Sequence, residues 1–117
     1  MEVQGNKFRI AYSVESATVT CAGMLDMRGK EGYKETIELF DKVVAQTDSG
    51  KNITLNVKEL EFLNSSGITA IGCFIIKLRD KGGIRLLIRC SNNYSWQARS
   101  MTGLEKLMPG GLEIIFE

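Results

Sequence analysis

The hydrophobic period changes repeatedly along this chain, and that change narrows the fold more than any other feature. Phe8 to Val14 and Ala17 to Leu25 are apolar, β-branched runs of strand character. The polar pair Glu15-Ser16 separates them, as in a hairpin with a short connection. Tyr33, Ile37, Phe40 and Val44 then recur at three- and four-residue steps with charges between them, which predicts an amphipathic helix from about Gly32 to about Gln46. Asp48-Ser49-Gly50 stops it. Over Asn52 to Val57 the residues Ile53, Leu55 and Val57 alternate with polar ones, as in a strand. A second helical period follows through Ile68, Ile71, Ile75 and Leu78 and ends at Lys81-Gly82-Gly83. Ile84 to Cys90 is a continuous apolar run that fits a buried strand. A short third helix is expected over Ser95 to Thr102, and Pro109-Gly110-Gly111 turns the chain into a last strand, Leu112 to Phe116. The order ββαβαβαβ predicts an α/β fold. Its sheet is mixed, with an initial antiparallel hairpin and then parallel strands linked by right-handed helical crossovers.

Length and charge exclude several classes. The 117 residues suit one domain spanning 1–117. Fifteen basic and 14 acidic residues leave a formal net charge of +1. Lys34, Glu35, Glu38, Asp41 and Lys42 intermingle within one segment, the pattern of a solvated helix face rather than of a nucleic-acid site. No apolar run approaches the roughly 20 residues of a membrane span, and Met1 to Arg9 is polar, so a cytoplasmic protein is expected. Cys21, Cys73 and Cys90 form neither a disulfide framework nor a CxxC pair; each lies in an apolar stretch and is expected to be a buried thiol. The chain has no histidine, which removes Ser-His-Asp triads, Cys-His pairs and imidazole metal sites. No catalytic residue, metal ligand or cofactor site is therefore predicted, and the chain is expected not to be an enzyme.

One segment stands out. Phe62-Leu63-Asn64-Ser65-Ser66-Gly67-Ile68 lies where a predicted strand hands over to a predicted helix, on the sheet edge where α/β proteins concentrate function. The loops at Gly23-Met24-Leu25-Asp26-Met27 and Ser91-Asn92-Asn93 are expected on the same edge, so that Asp26, Asn64, Ser65, Ser66 and Asn92 share a polar surface. Helix capping explains an Asn or Ser at a helix start without any further function. Two adjacent serines exceed what one cap requires, and a phosphate on a first-turn hydroxyl would add about −1.5 to −2 charges at pH 7. Trp96 and the methionines Met24, Met27, Met101 and Met108 read as packing residues. Gly82-Gly83 and Gly110-Gly111 read as turns.

The same segment resembles the F-x-D-S-S-G-[LI] signature of STAS domains, the anti-sigma factor antagonist branch in particular. Gly23-Met24-Leu25-Asp26 resembles that family's G-x-L-D at the end of the second strand. Lys81-Gly82-Gly83-Ile84-Arg85-Leu86 resembles its glycine turn into the fourth strand, and Met101-Thr102-Gly103-Leu104 its M-[ST]-G-L segment. The four come in the family's order and span about Phe8 to Phe116. The resemblance implies a non-enzymatic signalling module that binds a serine kinase doubling as an anti-sigma factor and is reset by a PP2C-type phosphatase. It implies Ser66 as phosphoacceptor, with Ser65 the alternative, and a partner-binding edge of Asp26, Met27, Asn64, Ser65 and Gly67 in a monomer or weak homodimer. Asn64 departs from the family's acidic residue; it can cap a helix but cannot accept a proton as Asp would. That departure keeps a second reading open, a constitutive scaffold that binds without phosphorylation. Nucleotide or lipid sensing is a third reading, with no sequence feature behind it.

Overall fold

A computed structural model describes all 117 residues. Six strands form one sheet in the order β1-β2-β3-β4-β5-β6. They are β1 (Glu2–Gln4), β2 (Phe8–Ser13), β3 (Thr18–Leu25), β4 (Asn52–Leu63), β5 (Arg85–Cys90) and β6 (Leu112–Phe116). The first three pair antiparallel, and β3 to β6 pair parallel. The helices are α1 (Gly29–Gly32), α2 (Lys34–Gln46), α3 (Ser65–Lys81) and α4 (Ser95–Met101), with a 3-10 turn over Thr102–Leu107. The expected mixed α/β architecture is present.

This strand order fixes where the helices go. The parallel strands follow one another across the sheet without reversing direction, so right-handed crossovers all fall on one face. That face carries the core: Ile53, Leu55 and Val57 of β4 and Leu86, Ile88 and Cys90 of β5 are buried against Phe40, Val43, Ile71, Phe74, Ile75 and Leu78. The alternate residues, such as Thr54, Asn56, Leu87 and Arg89, stay half-buried on the opposite face, which no helix covers. The Phe40 and Phe74 rings stack with centroids 4.7 Å apart where α2 meets α3.

Several local expectations are corrected. The polar N-terminus contains a strand, β1, which pairs Val3 with Ile10. The hairpin connection is the four-residue turn Val14 to Ala17, closed by Ala17 N–H donating to the Val14 carbonyl, with Ala17 at φ 51°. The first predicted helix is α2, and an unpredicted one-turn helix, α1, precedes it, the two meeting at Tyr33 (φ −99°, ψ 11°). The buried stripe of α2 is Thr36, Leu39, Phe40 and Val43, while the expected Ile37 and Val44 sit at its margin. Cys73 is exposed, contrary to the reading of all three thiols as buried, because it lies on the solvent side of α3; Cys21 and Cys90 are buried.

The largest correction concerns β4, which is 12 residues long and not six. Two register shifts against β3 absorb its extra residues, one between Thr20 and Ala22 and one between Gly23 and Met24. Beyond Asn56 it has outrun β5, and its free edge is met by Gln97 of α4. The buried Gln97 amide donates to the Val57 and Leu60 carbonyls at 2.8 and 3.0 Å, while its oxygen accepts from Ser91 N–H at 2.8 Å.

Candidate functional site

The end of β4 and the start of α3 meet at Asn64. Its backbone is extended (φ −84°, ψ 176°), and its Oδ1 accepts from Gly67 N–H at 2.9 Å, the bond of a helix N-cap. The same oxygen accepts from the Tyr33 hydroxyl at 2.7 Å, and Asn64 Nδ2 donates to the Met27 carbonyl at 2.6 Å. Ser66 Oγ accepts from Gly29 N–H at 3.2 Å. These contacts tie the segment Met27 to Tyr33 onto the first turn of α3. Asn64 faces two donors on one side and a carbonyl on the other, and only an amide satisfies both. An aspartate would set a carboxylate oxygen against the Met27 carbonyl.

Gly67 is required by the same packing. A Cβ there would lie 2.3 Å from Leu63 Cδ1 and 2.7 Å from the Tyr33 hydroxyl. Gly23 (φ 87°) is constrained more tightly, since a Cβ would come within 2.1 Å of the Lys7 carbonyl. Two glycines of the family-like motifs thus have direct steric reasons. Tyr33 itself is buried, and burial together with the Asp26 carboxylate pushes its hydroxyl up to about 12. It stays protonated and keeps donating to Asn64.

Asp26, Met27, Asn64, Ser65, Ser66 and Gly67 come together as expected, because β3 and β4 end level: Leu25 pairs with Leu63, and Asn64 N–H donates to the Leu25 carbonyl. Asp26 is exposed, with Lys7 Nζ 4.0 Å away. Ser65 is exposed, while Ser66 is half-buried beneath Gly29. Asn92 does not join them. The loop Ser91-Asn92-Asn93 follows β5, which pairs with β4 no further than Asn56. Seven residues of β4 lie beyond Asn56. Gln97 ties Ser91 to the level of Val57 and Leu60, so the loop stops short of Leu63, and Asn92 N–H donates to the Glu117 carbonyl instead.

Two further residues border this cluster: Phe62, which opens the family-like segment, and Met24, which reads in the sequence as a packing residue. Met24 pairs with Phe62, and both are exposed, at 37% and 43%. They form an apolar pair on the open face of the sheet, one strand turn before Asp26 and Asn64. Alternation alone could have marked them: Leu25 and Leu63 point into the core, so their neighbours cannot.

Among the solved structures that resemble this one is a chain of the complex between the diguanylate cyclase SiaD and its activator SiaC from Pseudomonas aeruginosa. It superposes at TM-score 0.71 with 13% identity over 100% of this chain and 99% of that one. SiaC of Pseudomonas aeruginosa matches at 0.69 with 13% identity, over 100% and 98%. An anti-sigma factor antagonist from Mycobacterium paratuberculosis matches at 0.65 with 18% identity, over 95% and 90%. The fold is STAS-like. At these identities the likeness is one of backbone, and the STAS-like order of strands and helices extends through the whole chain. No protein-family model matches the sequence, and no curated protein matches it. No helix is long and apolar enough to cross a membrane.

Proposed function

We propose that this STAS-like chain is a non-enzymatic, cytoplasmic protein-binding module whose partner docks on the edge formed by Asp26, Met27, Asn64, Ser65 and Gly67. The exposed Met24–Phe62 pair serves as its apolar anchor. Large exposed apolar side chains beside a rigid polar rim are what protein interfaces use. The fold neighbours support the same class: one is an anti-sigma factor antagonist, and another is an activator in complex with a diguanylate cyclase.

Control by phosphorylation at Ser66 is the finer reading. The observation that carries it is the bond from Gly29 N–H to Ser66 Oγ, which makes one hydroxyl the joint between α3 and the segment Met27 to Tyr33. A phosphoryl group there would replace a neutral contact with roughly two negative charges at the centre of the edge. The partner is then a serine kinase of the anti-sigma type, opposed by a PP2C-type phosphatase.

The constitutive scaffold is the second reading, and the Asn64 network favours it. It locks the edge in one shape with Ser66 half-buried, so the edge binds without modification.

Incubation with ATP and the serine switch kinases of the host, followed by phosphopeptide mapping, separates the two. Modification that survives Ser65→Ala and disappears in Ser66→Ala, with binding weakened by Ser66→Asp, is the outcome expected of the switch. Intact binding of a kinase without any modified serine would make the scaffold the function. Modification confined to Ser65 would move the acceptor to the more exposed hydroxyl.

A further inference from the structure

Between the segment that begins at Gly29 and the exposed side of α3 lies a cleft of about 490 Å³. Its size falls within the range of small-ligand sites. Its apolar lining comes from Tyr33 and Ala70, both almost wholly buried, and from Ile37 and Cys73. Lys30 and Ser66 stand at one end and Lys77 at the other, and no carboxylate lines it. From Ser66 to Lys77 the cleft follows 11 residues of α3, about 16 Å.

The two ends differ in charge. Lys77 is met by Asp41 of α2 at 2.6 Å, whereas Lys30 has no ion pair. Ser66 Oγ already accepts from Gly29 N–H, which leaves its own proton free to donate. The neighbouring Thr69 hydroxyl is occupied by the Ser65 carbonyl at 3.1 Å. One end therefore offers an unpaired ammonium and a free hydroxyl donor, and the rest offers apolar surface.

Both ends are also crossed by links between the walls, Gly29 to Ser66 and Asp41 to Lys77. A polypeptide segment laid in the cleft would run into them, so a short occupant fits better than a partner's chain.

We propose that this cleft binds a small amphiphilic anion, a medium-chain carboxylate, with its head on Lys30 and the Ser66 hydroxyl and its tail over Tyr33, Ile37, Ala70 and Cys73. The binding requires no phosphorylation of Ser66 and stands independently of the partner reading.

Cys73 makes the test direct, because it is the exposed thiol of the three and lies in the cleft, while Cys21 and Cys90 are buried. The probe is sodium decanoate below its micellar concentration, with decanol and butyrate as controls, and the readout is the rate of Cys73 alkylation by iodoacetamide in the unmodified protein. Decanoate at ten times its Kd is expected to slow alkylation about tenfold. Butyrate, lacking the tail, and decanol, lacking the charge, should protect far less. Lys30→Ala, at an exposed position, is expected to raise the decanoate Kd about two- to fivefold, as befits one solvent-facing ion pair. Cys73→Trp, which fills the cleft, should abolish decanoate binding measured by calorimetry.

Unchanged alkylation in decanoate would overturn the proposal. So would equal protection by decanol together with an unaltered Lys30→Ala, which would mark a merely greasy groove. Additional labelling of Cys21 or Cys90 would mean that decanoate unfolds the protein instead of binding it, and would also count against the site.

Discussion

Asn64 performs three tasks with one side chain: it caps α3, accepts from Tyr33 and donates to the Met27 carbonyl. The family-like aspartate would retain the first two and gain about 0.3–1 kcal/mol from the positive end of α3. It would lose the third and set two acceptors face to face, at about 1–3 kcal/mol. The loss outweighs the gain, so Asn64→Asp is expected to lower the unfolding free energy by about 1 kcal/mol in urea titrations at neutral pH; an unchanged or raised midpoint would sink this account. The titrating groups make a second prediction at this scale. Burial raises Cys21 from 9.0 to about 12 and Cys90 from 9.0 to about 11, and burial with Asp26 nearby raises Tyr33 from 10.0 to about 12. Each group holds its proton more tightly folded than unfolded. The corresponding stability is fully present below about pH 9 and is lost as pH rises towards 12. The urea midpoint should fall progressively over that window, and Tyr33→Phe should flatten the fall above about pH 10. An identical slope in that variant would exclude the tyrosine.

At the scale of elements, β4 decides the shape of the site. Its 12 residues carry the chain past the end of β5, so that Asn64 emerges beside Asp26 and away from Asn92. Such an overhang leaves strand carbonyls without a partner strand, and Gln97 supplies the donors. Removing that amide orphans the buried Val57 and Leu60 carbonyls and the Ser91 N–H together. Gln97→Leu is therefore expected to cost about 3 kcal/mol in chemical denaturation, far above a typical surface substitution. A cost below about 1 kcal/mol would mean that α4 does not hold β4 in place. Trp96, one residue earlier, packs half-buried against the core, as its sequence context suggested, with its indole Nε1–H buried and unpaired.

Across the whole molecule the sheet is covered on one side, because its parallel strands advance in a single direction. Protection should follow that asymmetry. The strands β3, β4 and β5 share the core with α2 and α3, whereas β1 is a three-residue edge strand and α1 buries no residue. Native-state hydrogen exchange in low urea is expected to open β1 and α1 well below the free energy of global unfolding, with the centres of β4 and α3 exchanging only through it. Equal exchange free energies for β1 and β4 would show that the edge belongs to the same cooperative unit. Early opening of α1 would also loosen the cover over Ser66, the proposed phosphoacceptor.

The alternation of periods determined the α/β class, the mixed sheet and the approximate place of most elements, since periods of two and about 3.6 residues record which side chains must leave water. The family-like motifs singled out Asn64 to Gly67 as the candidate edge, and local chemistry was enough to read Asn64 as a cap. Features that depend on neighbours distant in the chain were not legible. Strand β1 exists because β2 offers it an edge, and β4 runs on because β3 and Gln97 satisfy its backbone. Cys73 faces solvent because the core lies on the other side of α3. The identity of residue 64 belongs to the same group: in the sequence it is a departure from an acidic pattern, whereas in the fold it is the one side chain that satisfies its own helix's Gly67 N–H together with a hydroxyl and a carbonyl brought there from 31 and 37 residues away. Periodicity is a local property of the chain, and the satisfaction of a buried polar group is not.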